Sequence, residues 1–106
     1  MRENHFKDVT LLQSDIQNLL DFIKASPTPY HTVAAASRKL KEAGFARLEL
    51  ASTDWALTPG KGYYLPVFGS TLLAFVPGKA SGPLRITAAH TDFPCFRLKP
   101  QPDMKK

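Results

Sequence analysis

Apolar positions along the chain change their period partway, and that change divides it. From Ser14 the residues Ile16, Leu19, Leu20 and Ile23 recur at three- and four-residue intervals, the spacing that lines one face of a helix. Ser14 and Gln17 form an S-x-x-Q pair whose side chains suit a helix start, so a first helix is predicted over Ser14–Ala25. The stretch SPTPYH interrupts it. Pro27 and Pro29 forbid continuation, and Thr28 before a proline is a favoured start for the next helix. Tyr30, Val33, Ser37 and Leu40 then share a face, and Gly44 is the expected stop, giving a second helix over Pro29–Ala43.

Beyond Gly44 the period shortens to two. Phe45–Leu50 alternates briefly. Lys61–Phe68 carries Tyr63, Tyr64 and Val67 between glycines, Thr71–Val76 is a nearly continuous apolar run ended by Pro77 and Gly78, and Leu84–Ala89 is another. Two helices followed by several strands predict an α/β fold, α+β within this chain. The order of parts is a polar, mobile lead-in over 1–13 and a single, incomplete domain over 14–106.

Length and composition narrow the function classes. At 106 residues the chain holds one domain at most. Its formal charge of +5 is dispersed. Arg38, Lys39 and Lys41 lie on the second helix, Arg97 and Lys99 alternate on an extended stretch, and Lys105 and Lys106 close the sequence. No basic run interleaves with aromatics, so nucleic acid is not an expected partner. No apolar run approaches the ~20 residues of a membrane helix, and the start has no signal-peptide core, so a cytoplasmic location and no membrane partner are expected. The single cysteine, Cys95, excludes an internal disulfide framework.

The chemistry concentrates in ITAAHTDFPCFRLKP, Ile86 to Pro100. Residues two apart on a strand point the same way, so His90 and Asp92 share a face if the strand runs on to them. Phe93-Pro94 predicts a bend just after. A metal-ligating histidine commonly gives its second N–H to a carboxylate, and the C-terminal ends of strands are where open α/β sheets hold ligands. By itself H-x-D fits both a metal corner and a surface histidine capped by its neighbour.

Several ordered motifs resolve that choice. AAHTDFPCFRLKP resembles the first metal-site motif of the aspartyl aminopeptidase family, relatives of vacuolar aminopeptidase I, where it reads approximately G-A-H-T-D-S-P-C-L-K-L-K-P. Upstream, SPTPYHTV is similar to that family's S-P-[TS]-P-[FYW]-H-x-V element, followed by GFARL. Trp55 to Leu57, Gly62 to Tyr64 and Ser70 to Phe75 resemble its next segments. The resemblance implies a two-zinc aminopeptidase that removes N-terminal residues, often acidic, from peptide substrates, and that forms large homo-oligomers. It implies that His90 ligates one zinc and that Asp92 is the carboxylate orienting it in the catalytic centre.

Two departures stand out. Phe93 occupies the family's serine position, and the remaining metal ligands and the glutamate general base lie beyond the motif in the family. The chain is therefore expected to be the N-terminal part of the proteolytic domain and inactive alone. The alternative is a non-catalytic fragment or an assembly module that pairs through an unfinished sheet. Among the other candidates, His31 is expected to cap, His5 to be inert, and Cys95 to be a buried apolar thiol. Tyr63, Tyr64 and Phe75 are expected to pack the sheet, with Arg97 and Lys99 on its wet side.

Overall fold

The structure, a computed structural model, describes residues 2–79 and 82–103. Helix α1 spans Arg2–Lys24, α2 spans Pro29–Glu42, and three strands follow, β1 (Ala46–Arg47), β2 (Tyr63–Val67) and β3 (Thr71–Phe75). Two helices followed by a small mixed sheet is the α+β arrangement the periodicity predicts.

Helix α1 starts far earlier than Ser14. Ser14 is therefore an interior residue and not a cap, and Gln17 donates forward to Asp21 Oδ1 at 2.9 Å instead of reaching back. The apolar stripe explains the longer helix. Val9 and Leu12 continue the spacing of Ile16, Leu19 and Ile23 backward, and no glycine or proline interrupts the run. Most of the stretch read as a lead-in, from Arg2 on, lies inside this helix. Leu11, Leu12, Ile16, Leu19, Leu20 and Ile23 are each half exposed or more.

The corner between the helices matches its prediction closely. Thr28 sits in extended backbone as the N-cap, and its Oγ1 accepts the His31 backbone N–H at 3.3 Å. Pro29 occupies the first helical turn, where a missing N–H costs nothing. Ser26 is buried, and its hydroxyl donates to the Phe22 carbonyl at 2.7 Å, tying the corner to the last turn of α1.

At the far end of α2, Gly44 adopts φ +86°. The Gly44 N–H donates to Lys41 and the Phe45 N–H to Leu40, at 3.0 and 2.9 Å. These paired bonds form a Schellman motif, which satisfies the last carbonyls and turns the chain toward the sheet. Lys39 and Lys41 in the last turn oppose the negative end of the helix dipole.

The sheet order is β1-β2-β3, with β1 parallel and β3 antiparallel to β2. Register runs from Tyr63 opposite Phe75 to Val67 opposite Thr71. The predicted first strand, Phe45–Leu50, shrinks to two residues, although Leu48 still donates to the Tyr64 carbonyl at 2.8 Å. Gly62 lets β1 come close, because a Cβ there would stand 2.7 Å from the Phe45 ring.

The core is small: Val33 and Ala35 from α2, and Tyr63, Tyr64 and Leu65 from β2. Tyr63 and Phe75 pack with ring centroids 5.9 Å apart, the sheet-packing role expected of both. Tyr63 Oη accepts the Thr58 N–H at 2.8 Å. That bond holds the phenol below its ordinary pKa, with a lesser contribution from the Lys61 cation.

The fourth predicted strand is not observed. Leu84–Ala89 is irregular and exposed. Its residues have the right alternation but no partner in the ladder among the described residues. An isolated extended segment exchanges its backbone hydrogen bonds with water and gains nothing from the pattern.

Candidate metal centre

His90 lies on an exposed strap, residues 82–103, that follows the sheet. Its Nδ1 is 2.5 Å from the Asp92 backbone carbonyl oxygen and 3.4 Å from Asp92 Oδ1. A carbonyl only accepts, so Nδ1 carries the proton and the lone pair is left on Nε2. This tautomer leaves Nε2 able to bind a divalent ion, with the Asp92 carboxylate beside Nδ1. The two side chains lie on one side of the strap, as the H-x-D spacing predicts, and both are largely exposed. The small Ala88 and Ala89 before His90 leave space around the ring, and both are exposed.

Thr91, between them, faces the other way and anchors the strap. Its Oγ1 donates to the Ser70 carbonyl at 2.8 Å, across the turn between β2 and β3. The tie places His90 beside an open concavity of about 950 Å³. The helix corner supplies one wall, with Thr28 and Tyr30, and the hairpin turn supplies another, with Ser70 and Thr71. Phe93 and Arg97 from the strap complete it.

The turn itself is shaped for this approach. Gly69 takes φ +76°, and a Cβ there would come within 3.2 Å of the Tyr30 ring. Glycine thus meets both a backbone and a steric demand where the helix corner meets the hairpin. Sequence reasoning located His90 and Asp92 and missed Ser70 and Thr91. A hydroxyl bond between residues 21 positions apart leaves no periodic trace.

The remaining candidates separate cleanly. His31 Nδ1 lies 2.8 Å from Thr28 Oγ1, in the local capping arrangement expected of it, and not on the concavity. The side chain of His5 lies outside the described residues. Cys95 is exposed and lines the concavity, contrary to the buried thiol expected, because the strap around it packs on nothing that would cover it. Arg97 is exposed, as a wet-side residue should be, yet it also borders the concavity.

A zinc site needs about three or four protein ligands. Among the described residues no group of three or more His, Cys, Asp or Glu side chains converges. His90 fits one ligand position, through Nε2, with Asp92 behind it. The described residues fit a corner of a zinc site and not a whole shell.

Comparison with known proteins gives the corner a context. The family model "Aminopeptidase I zinc metalloprotease (M18)" matches residues 22–106. The probable M18 family aminopeptidase 2 of Pseudomonas fluorescens (strain SBW25) is 44% identical over 93 residues, covering 85% of this chain and 21% of the relative. That of Azotobacter vinelandii (strain DJ / ATCC BAA-1303) is 43% identical over 93 residues, with 85% and 21% covered. Among solved structures, a chain in the cryo-EM structure of the Ape4 and Nbr1 complex superposes with a TM-score of 0.56 at 38% identity. That match covers 59% of this chain and 12% of the other. The chain thus spans about a fifth of the length of the curated relatives it matches.

Proposed function

Since this chain belongs to the aminopeptidase I zinc metalloprotease (M18) family, we propose that it is the N-terminal portion of a zinc aminopeptidase's catalytic domain and contributes the first metal-binding corner. The observation that carries this reading is the His90–Asp92 pair. A histidine whose Nδ1 is committed to Asp92 leaves Nε2 free beside an open concavity.

In this reading Nε2 of His90 binds one of two zinc ions. Asp92 holds the ring in its tautomer and orientation, and Thr91 fixes the height of the strap through Ser70. Zinc, when bound, supplies Lewis-acid polarisation of a scissile carbonyl and acidifies water. The concavity receives the N-terminal residue of a peptide, with acidic residues among those accepted. The other ligands and the general base come from the portion of the domain absent from this chain, so the chain alone is inactive. The solved relative is a complex with Nbr1, and assembly, including homo-oligomers of the full-length protein, belongs to the same proposal, as does a cytoplasmic location.

The test is release of N-terminal residues from a peptide panel by the full-length protein. The expected result is hydrolysis abolished by a chelator, restored by zinc, and reduced at least about a thousandfold by His90→Ala, since the ligand shell loses a member. Chelator-insensitive hydrolysis, or wild-type rates in His90→Ala, would contradict the proposal. The shortage of ligands among the described residues favours one second reading, a non-catalytic assembly module. It predicts no peptide hydrolysis by the full-length protein at any zinc concentration.

A further inference from the structure

Of the large apolar side chains on the strap, one stands apart. Leu84, Ile86, Phe96 and Leu98 are exposed by 80% or more, whereas Phe93 is 43% exposed and lines the concavity. It directly follows Asp92, the residue that steadies His90, and Pro94 confines its backbone to extended conformations. The helix corner lines the same concavity with Pro27, Pro29 and Tyr30. That corner is itself fixed, because Thr28 caps α2 and the Tyr30 ring lies where a Cβ on Gly69 would come within 3.2 Å of it. Strap and corner thus both bring apolar carbon to the opening beside the imidazole.

Resting on the aminopeptidase proposal, we propose that Phe93 is a specificity-determining residue, which selects peptides whose N-terminal side chain is apolar ahead of those in which it is acidic. A substrate residue held at the His90 corner meets the Phe93 ring within the same concavity. An apolar side chain laid on that ring takes carbon surface out of water on both partners. A carboxylate laid there loses hydration, and the ring offers it no hydrogen bond in return. The concavity, at about 950 Å³, is much larger than one side chain, so the ring adds contact without shutting the opening.

The competing determinant is Arg97, the one lysine or arginine lining the concavity among the described residues. It is exposed, and a guanidinium that keeps its water gains little from an added carboxylate. The geometry therefore favours Phe93, which is partly covered and adjacent to Asp92, over Arg97, which is exposed and further along the strap.

Hydroxamates of L-leucine and L-aspartate share one metal-binding head and differ only in side chain. The ratio of their affinities for the zinc-loaded full-length protein, measured by calorimetric titration, reads the wall and cancels the metal. The leucine compound is expected to bind about tenfold more tightly to the wild type, and Phe93→Ser should cut that preference to about twofold or less. Phe93→Leu, which keeps an apolar side chain, should hold the ratio within about twofold of wild type, as should Arg97→Ala. A ratio unchanged by Phe93→Ser, or a preference for the aspartate compound that Arg97→Ala removes, would overturn the specificity proposal and leave the aminopeptidase proposal standing. Loss of zinc from Phe93→Ser would show that the ring supports the metal corner, and would overturn its role in selection. Failure of both hydroxamates to bind the zinc-loaded wild type would overturn both proposals together.

Discussion

The helix–hairpin body and the strap behind it carry similar apolar patterns, and they end in opposite states. In the body, Val33, Ala35, Tyr63, Tyr64 and Leu65 are exposed by 5% or less. On the strap, Leu84, Ile86, Phe96 and Leu98 are exposed by 80% or more. Intrinsic preference does not separate them, because Leu84–Ala89 is as strand-like as Thr71–Phe75. The difference is a neighbour. β3 folds back on β2 through a three-residue turn, while the next segment is joined by a longer connection rich in glycine and proline. A strand is stabilised by cross-strand pairs and burial, and the strap has its candidate chemistry where that stabilisation is least.

Substitutions should divide along the same line. Leu65→Ala removes the most buried side chain of the core, and urea denaturation should show a loss of about 3 kcal/mol. So small a core tolerates that poorly. A loss below 1 kcal/mol would mean that the body is not the stable part of the molecule. Gly62→Ala drives a methyl into the Phe45 ring, and about 2 kcal/mol of destabilisation is expected. If β1 merely lies loosely beside β2, the same change will be neutral. Thr28→Ala deletes the N-cap of α2 and should cost about 1 kcal/mol; Thr28→Ser should recover most of it. At the bottom of the series, Phe96→Ala on the strap should shift stability by less than about 0.5 kcal/mol despite removing an entire ring. A larger loss would show that Phe96 is packed in solution and that the contrast between the two regions is false.

Legibility in the sequence followed the same division. The corner at Thr28, the stop at Gly44 and both strands of the hairpin were readable because each rests on contacts between residues close in sequence. Helix α1 was read too short, since a polar stretch conceals the weaker apolar stripe of Val9 and Leu12. The fourth strand was read where the structure has none, because periodicity records a preference and does not supply a partner. At the candidate site the His90–Asp92 spacing was legible from the two-residue period. The Ser70–Thr91 tie and the exposure of Cys95 were not, since both depend on what the folded chain places nearby. The ordered motifs around SPTPYH and HTD carried the family, and the match over residues 22–106 agrees with them.

The central claim is that His90 was built to hold a metal ion with Asp92 behind it. Zinc content and affinity of the full-length protein, compared between wild type and His90→Ala by metal analysis and calorimetric titration, test it most directly. The expected result is that the variant remains folded and loses one zinc equivalent, or binds it at least about a hundredfold more weakly. Wild-type stoichiometry and affinity in a folded His90→Ala protein would contradict it.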